Sequence, residues 1–334
     1  MFVTDSWKKQ RRGAMIRLCF DPAKNLAEDI VDYAASVRTS SSKNSVVRFS
    51  YSFKDEIQLK IHCMRDNIKK INEGSFEPSI SFSNHRLNSV LTQMKKELRS
   101  YLLINNNPVA EVDISGSHLY VLAGILNEDF FTSTTNEFSL YTIYNELYCK
   151  LYNSNKSISS IINTYINNNN IPSPPFMCGT FEKEIKQYKE LFDGNDIYEN
   201  INQIVFNGTK IRKQIKDGMM NFLNQNKFRN NIEFISEMKK HFPYINDFIE
   251  KIQKLSTHKS CIAILLQRVE SYLLLQVGCR ELLKQIPDLC YFTIHDSVAV
   301  EESRSQEIME ILQRVISEKT GVPIKFKIKQ QEKD

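Results

Sequence analysis

Two aspartates in this chain sit where strands end. Asp113 lies in "EVDISGSH", at the point where an apolar run gives way to a helix-forming stretch. Asp296 lies in "YFTIHDSVAV", between two apolar runs that read as the arms of a hairpin. Taken singly, each has a plain reading, Asp113 as a helix N-cap and Asp296 as a turn residue. Taken together they suggest chemistry. Two carboxylates at the strand ends of one sheet repel each other unless a cation separates them. Two carboxylates holding two Mg²⁺ ions about 3.5–4 Å apart form the clamp used for in-line phosphoryl transfer. Mg²⁺ in such sites takes one or two carboxylates plus substrate phosphates. The expected ligands are therefore Asp113, Asp296 and the backbone carbonyl of Ile114.

A triphosphate substrate would need cations nearby. "TKIRKQIKDGMMNFLN" places Arg212, Lys216, Met220 and Asn224 at i, i+4, i+8 and i+12, with Lys213 beside them. That spacing lines one broad helical stripe, cationic at one end. It could hold phosphates at the cationic end and a base and sugar at the other. A solvated basic helix face gives the same pattern, and this stretch alone favours that plainer reading.

The elements that would position these residues follow from periodicity. Residues 54–73 and 86–104 carry helical spacing rich in Lys and Arg. "PVAEVDISGSHLYVLAGIL" (108–126) starts as a strand and becomes a helix with Leu119, Leu122, Ala123 and Leu126 on its apolar face. Residues 154–175, biased to Asn, Ser, Ile and Pro, read as a surface insertion. Most of 181–285 reads as helix, including 209–225, 242–254 and 262–286. The hairpin at 291–302, a helix at 303–319 and a last strand at 322–330 close the chain. With the strand at 109–114 this gives an α+β fold, an antiparallel sheet backed by helices.

Composition bounds the alternatives. At 334 residues the chain is long enough for sub-domains, and 41% hydrophobic with 25% charged residues is ordinary for a globular protein. A net charge of +5 permits a polyanionic partner without requiring one. Seven scattered cysteines, with no C-x-x-C pair, read as reduced thiols in a cytoplasmic protein. No signal peptide is visible, and no apolar run approaches the length of a membrane span.

These stretches, in this order, resemble the palm and fingers of family A DNA polymerases and of the related phage-type single-subunit RNA polymerases, in the compact form found in phages and mobile elements. "VDISGSH" resembles the first palm motif, an Asp on a strand followed by a helix. "RKQIKDGMMNFLN" resembles the fingers motif Arg-x3-Lys-x3-(aromatic or Met)-x3-Tyr. "IHDSV" resembles the His-Asp hairpin motif. Lys216 lies 103 residues after Asp113, and Asp296 lies 80 residues after Lys216, which suits fingers inserted between two palm halves. "HRLNSVLTQMKKELRSYLL", "KKHFPYINDFIEKIQK" and "TGVPIKFKIKQ" resemble the flanking segments, so the likeness covers about residues 80–334.

The resemblance implies a right-hand polymerase-like fold with an antiparallel palm sheet, helical fingers and a reduced thumb. Residues 1–85 would be a thumb-like helical region, 86–126 the first palm half, 127–260 the fingers with the 154–175 loop, and 261–334 the second palm half. It implies catalytic roles for Asp113, Asp296 and Lys216, and nucleotide contacts for Arg212, Lys216, Met220, Asn224, His118 and Ile114. Nucleic-acid contacts fall to Arg86, Arg99, His295, Gln267 and Glu270, with Glu270-Ser271 on a helix before the hairpin. Cofactors would be two Mg²⁺ ions, with Mn²⁺ as a substitute. Partners would be a DNA primer-template or other nucleic acid, nucleoside triphosphates and a replication or processivity factor, with no membrane.

The chain departs from the family at the sugar pocket. His118 stands where DNA polymerases carry a gating Glu, and Asn224 stands where Tyr is usual. The expected activity is primer extension with dNTPs and no proofreading exonuclease. Its competitors are a primase or small RNA polymerase using NTPs, a template-independent terminal transferase, and an inactive nucleic-acid-binding subunit.

Overall fold

The computed structural model describes residues 18–20, 53–74, 78–81, 84–94, 99, 101–133, 135–140, 142–143, 179–194, 196–223, 232–254 and 261–330. The Asn/Ser-rich insertion expected at 154–175 lies outside the described residues, as does Asn224.

The centre of the fold is strand β5 (Asn107–Ile114), reached after β1 (Leu18–Phe20), helix α1 (Phe53–Asn72), β2 (Ser79–Ile80), β3 (Leu87–Asn88), the short helix α2 (Val90–Gln93) and β4 (Leu102–Ile104). A hairpin follows late in the chain, β6 (Tyr291–Ile294) and β7 (Ser297–Glu301), and β8 (Phe326–Gln330) comes last. The main sheet runs β1-β4-β5-β7-β6, with β8 also paired to β5. Every pairing is antiparallel. Val109 to Asp113 face Glu301 to Ser297 on β7, and Ala110 to Ile114 face Gln330 to Phe326 on β8.

Alternation along these strands sends side chains into two cores. Val112, Ile114, Val298, Val300 and Tyr291 enter the larger one. Among the described residues, α3 (Ser117–Ile125), the helix pair α10 (Cys261–Ser271) and α11 (Cys279–Gln285), and α12 (Ser305–Thr320) pack into it. Val109, Phe292, Ile294 and Ala299 point the other way, against Ile61, Met64 and Ile71 of α1 and Leu91 and Met94 around α2. Both faces of the sheet are therefore covered, which explains why β5 is buried from Val109 onward.

Between α3 and the hairpin the described residues are mostly helical. After α4 (Glu128–Thr132) come α5 (Gly179–Glu190), α6 (Ile197–Phe206), α7 (Arg212–Leu223), α8 (Ile232–His241) and α9 (Pro243–Lys254). Helix α10 (Cys261–Ser271) continues through a π-helical stretch (Tyr272–Gly278) into α11 (Cys279–Gln285).

Two expectations are corrected. Where a helix is expected over 86–104, the described residues form β3, the four-residue α2, a helical Arg99 and β4, with 95–98 and 100 outside the described residues. A reciprocal Ser89/Thr92 cap starts α2, and Met94 ends it in extended backbone. Leu102–Ile104 then pairs with β5 through a two-residue turn whose Asn105 and Asn106 both have positive φ, 51° and 65°, as the type I′ hairpin requires. The second concerns apolar length. Ile262–Gln285 is long and apolar enough by length and composition to cross a membrane, yet 72% of its most apolar window is buried inside the fold. It packs on α3, α9 and α12 as a core helix.

Candidate active site

Strand alternation places Glu111 and Asp113 on one face of β5, beside Ser297 on β7 and Lys327 and Lys329 on β8. Asp113 is nearly inaccessible, 5% exposed. Its Oδ2 is 2.7 Å from Lys329 Nζ and 3.4 Å from Lys327 Nζ. One residue further on, the Ile114 amide donates to the Asp296 carbonyl at 3.3 Å. His295 and Asp296 form the two-residue tip between β6 and β7, because Ile294 pairs directly with Ser297. The Ser297 hydroxyl donates to the Ile294 carbonyl at 2.9 Å and fixes that tip. His295 has φ +54°, a left-handed conformation that is costly for a side-chain-bearing residue. The expected metal-ligand set, Asp113, Ile114 and Asp296, is thus gathered at one end of the sheet.

The donor set can be tested against a divalent ion. Among the described residues no three His, Cys, Asp or Glu side chains gather into a metal cage. Two carboxylates with substrate phosphate oxygens nevertheless suit Mg²⁺ or Mn²⁺, which are hard cations that favour oxygen donors. Asp113 already faces two ammonium groups, so the site holds cations against this carboxylate.

Helices α6 and α7 bring the cationic stripe to this end. Asp196 caps α6 by accepting from the Tyr198 amide at 2.9 Å, and its second oxygen accepts from Arg212 Nε at 2.6 Å. The Arg212 guanidinium lies over the Tyr198 ring, 5.0 Å from its centroid. The turn between the helices is tied by buried Asn202, which donates to the Lys210 carbonyl (2.7 Å) and accepts from its amide (3.0 Å). Gly218 lets α7 approach α8, since a Cβ there would stand 2.5 Å from the Phe234 ring. Ile215, Gly218, Met219, Phe222 and Leu223 are buried, which turns Arg212, Lys216 and Met220 outward.

Tyr198 links the two halves of the site. A Cβ on Gly116, next to the start of α3, would lie 3.9 Å from the Tyr198 hydroxyl. Burial pushes the Tyr198 phenol up. Arg212 opposes that, and the carboxylates of Asp196, Asp296 and Asp113 add to it. One aromatic ring therefore touches the cationic stripe and feels both aspartates.

A second cluster flanks Asp296. The Arg86 guanidinium pairs with Glu270, its Nε donating to Oε2 at 3.1 Å, and Glu270 has no exposed surface. The other carboxylate oxygen, Oε1, faces His118 Nε2 at 3.8 Å, and neither atom makes a hydrogen bond. Burial lowers the His118 imidazole, with Glu270 and Asp296 pulling it back up and Arg86 pushing it further down. His295 is also lowered, first by burial and then by Arg86. Arg99 donates to Glu111 at 3.3 Å and to the Met94 carbonyl at 3.3 Å.

The structure thus brings Asp113, Ile114, Asp296 and His295 together, with His118, Arg86 and Glu270 adjoining them and Arg212 joined through Tyr198. Lys216 and Met220 share Arg212's exposed face. Gln267 is half-buried on α10, three residues before Glu270. Tyr198, Asp196, Lys327 and Lys329 were not expected from the sequence. The alternation "IKFKIK" was the available signal for the lysines. The start of α6 at an N-capping Asp was the signal for Tyr198.

No family model matches the chain, and no curated protein matches it. Among solved structures, it is similar to the POL domain of Pol1 from M. smegmatis in complex with DNA primer-template and dNTP. The TM-score is 0.39 at 9% identity, and the overlap covers 98% of this chain and 65% of that one.

Proposed function

We propose that this chain is a template-directed nucleotidyltransferase, a DNA polymerase that adds dNTPs to a primer 3′-OH and carries no proofreading activity within this chain. The observation that carries the reading is the meeting of Asp113 and Asp296 at one end of the sheet, through the Ile114–Asp296 backbone bond, with Tyr198 connecting both to Arg212. Two carboxylates of this kind, a cationic helix and a basic edge strand suit a reaction in which negative charge builds on a phosphorus centre.

Asp113 and Asp296, with the Ile114 carbonyl, would hold two Mg²⁺ ions. When bound, the ions supply charge stabilisation to the attacking and leaving oxygens. The chain's own residues do the rest. Asp113 is fixed on a buried strand and Asp296 on a tied turn, so their separation is set before substrate arrives, and positioning is the main contribution to catalysis. Arg212 and Lys216 neutralise the triphosphate. The primer 3′-oxygen forms a bond to the α-phosphorus, the bond from that phosphorus to the bridging oxygen breaks, and pyrophosphate leaves. The hydroxyl proton passes to solvent, and Lys216 supplies one to the departing pyrophosphate. Met220 faces the base and sugar end, and Asn224, outside the described residues, is assigned to the same end from its helical spacing alone. His118, beside Glu270, lies on the sugar side, and His295, Arg86, Arg99 and Gln267 on the nucleic-acid side. The first palm half would be 86–126, the fingers 127–260 and the second palm half 261–334, with 1–85 as a reduced thumb.

The test is extension of a labelled primer on a defined template with Mg²⁺ and either dNTPs or NTPs, beside a lane without primer. Template-matched extension with dNTPs supports the proposal. Extension with NTPs, or products without primer, moves the assignment to a primase or small RNA polymerase. Addition that ignores the template points to terminal transfer, and DNA binding without product points to an inactive binding subunit.

A further inference from the structure

Lys327 and Lys329 stand on the same face of β8, two residues apart, and both side chains reach Asp113. Both remain about half exposed, 47% and 41%, so each head can also turn outward to a ligand. Lysines on an edge strand commonly guard against strand addition, and such guards point to solvent. These two lean over the sheet to a carboxylate that is almost wholly buried.

Local charge gives them a further role. With no divalent ion, Lys327 and Lys329 both pair with Asp113. A divalent ion at Asp113 takes over that carboxylate and leaves the two ammonium groups beside Glu111, a carboxylate that Arg99 already holds. Lys carries three donors on a flexible stem and binds phosphate as a point charge. Alternate residues on a strand lie roughly 6.6–6.8 Å apart, a spacing suited to successive phosphates of one nucleic-acid strand.

We propose that Lys327 and Lys329 form a phosphate-binding site for the strand whose 3′ end reaches Asp113, and that they exchange Asp113 for backbone phosphates when a divalent ion enters. This rests on the nucleotidyltransferase reading for the identity of the strand. The binding site itself stands on the β8 geometry. Ion entry and strand binding become coupled, because each frees a partner for the other.

The experiment is fluorescence anisotropy of a labelled DNA primer-template at several salt concentrations, with and without Mg²⁺ and with no nucleotide present, so that no extension occurs. Each phosphate contact contributes about −0.9 to the slope of log K against log salt for duplex DNA. With Mg²⁺, the Lys327→Gln/Lys329→Gln variant is expected to have a slope shallower by about 1.8. Between 50 and 200 mM salt the native protein should then lose about 12-fold more affinity than the variant. Asp113→Asn, which releases both lysines without removing them, is expected to bind more tightly than the native protein in the absence of Mg²⁺ and to respond little to its addition. Equal slopes for the native and double-lysine proteins, or weaker Mg²⁺-free binding by Asp113→Asn, would overturn the proposal. A shallower slope in the lysine variant, from a native protein that incorporates no nucleotide, would leave the phosphate site standing and remove the polymerase reading.

Discussion

The residue least expected at the site, Tyr198, gives the sharpest prediction about how the cationic stripe is aimed. Arg212 has two supports, an ion pair to Asp196 at 2.6 Å and the face of the Tyr198 ring at 5.0 Å. The ion pair is partly solvated, with Arg212 54% and Asp196 35% exposed, so it contributes about 0.2–1 kcal/mol. A cation–π contact at such a site contributes about 0.5–1 kcal/mol. Neither alone dominates, and removing the ring leaves Arg212 held at one point. Tyr198→Ala is therefore expected to raise the KM for the incoming nucleotide about two- to fivefold, with a smaller change in kcat. Tyr198→Phe keeps the ring and should stay close to the native value. Single-nucleotide incorporation over a range of triphosphate concentrations reads both constants, and a thermal melt checks that each variant folds. An unchanged KM in Tyr198→Ala would refute the positioning role. A Tyr198→Phe defect as large as that of Tyr198→Ala would assign the work to the hydroxyl, which stacking on Arg212 does not use.

Three further outcomes follow from the geometry. His295→Gly relieves a left-handed backbone at the hairpin tip. That strain costs about 1–2 kcal/mol, and the entropy of an added glycine returns about 0.5–1, so a net stabilisation of about 0.5–1 kcal/mol should appear in urea unfolding, together with weaker extension if His295 contacts the primer; a loss of stability would contradict this. Gly218→Ala forces the Phe234 ring off a position where it stacks on Phe206 at 4.6 Å. Overpacking of about 1–3 kcal/mol outweighs the roughly 1 kcal/mol gained in helix propensity, so the melting temperature should fall, and an unchanged or higher value would show that α7 is not held this tightly. Burial, aided by Arg268, drives His85 down to about 3, so below its unfolded pKa of about 6.5 the unfolded chain binds a proton that the folded chain refuses. Stability should then be full above pH 6.5 and fall by about 1.4 kcal/mol per unit as pH drops toward 3. Urea midpoints at pH 7.5, 6 and 5 would read this, and His85→Asn, which tolerates the same positive φ of 58°, should flatten the profile. An equal pH dependence in that variant would remove His85 as the cause.

Much of the fold was legible because the patterns were long or sharply punctuated. The Asp113 strand, the hairpin at 291–302 and helices α7, α9 and α10–α11 lie within a few residues of where periodicity placed them. The failure at 86–104 has a local cause. Asn105-Asn106 and the apolar "LLI" before them specify a hairpin at the end of that stretch, which a helical period run through to 104 overlooks. Tyr120, Leu122 and Ala123 all being fully buried could not be read from an apolar stripe, because α3 is enclosed on every side by elements distant in sequence. The site divides in the same way. Asp113 and Asp296 were legible because each ends a strand, and Arg212 and Lys216 because they share one helix face. Tyr198 and the β8 lysines become part of the site only through pairing across the chain, at Gly116 and Asp113. Arg86 and Glu270 were both expected at the nucleic acid, and the structure pairs them with each other.

The central claim is that Asp113 and Asp296 act as one catalytic pair. Its most direct test is single-turnover primer extension by the native protein, Asp113→Asn and Asp296→Asn, at saturating primer-template and Mg²⁺ and with melting temperatures matched. Each substitution keeps the side-chain shape and removes one charge from the pair. Loss of a preorganised electrostatic contact costs about 10²–10³ in rate, and the account predicts a fall of at least that size for both variants. Extension by either variant within tenfold of the native rate would contradict it.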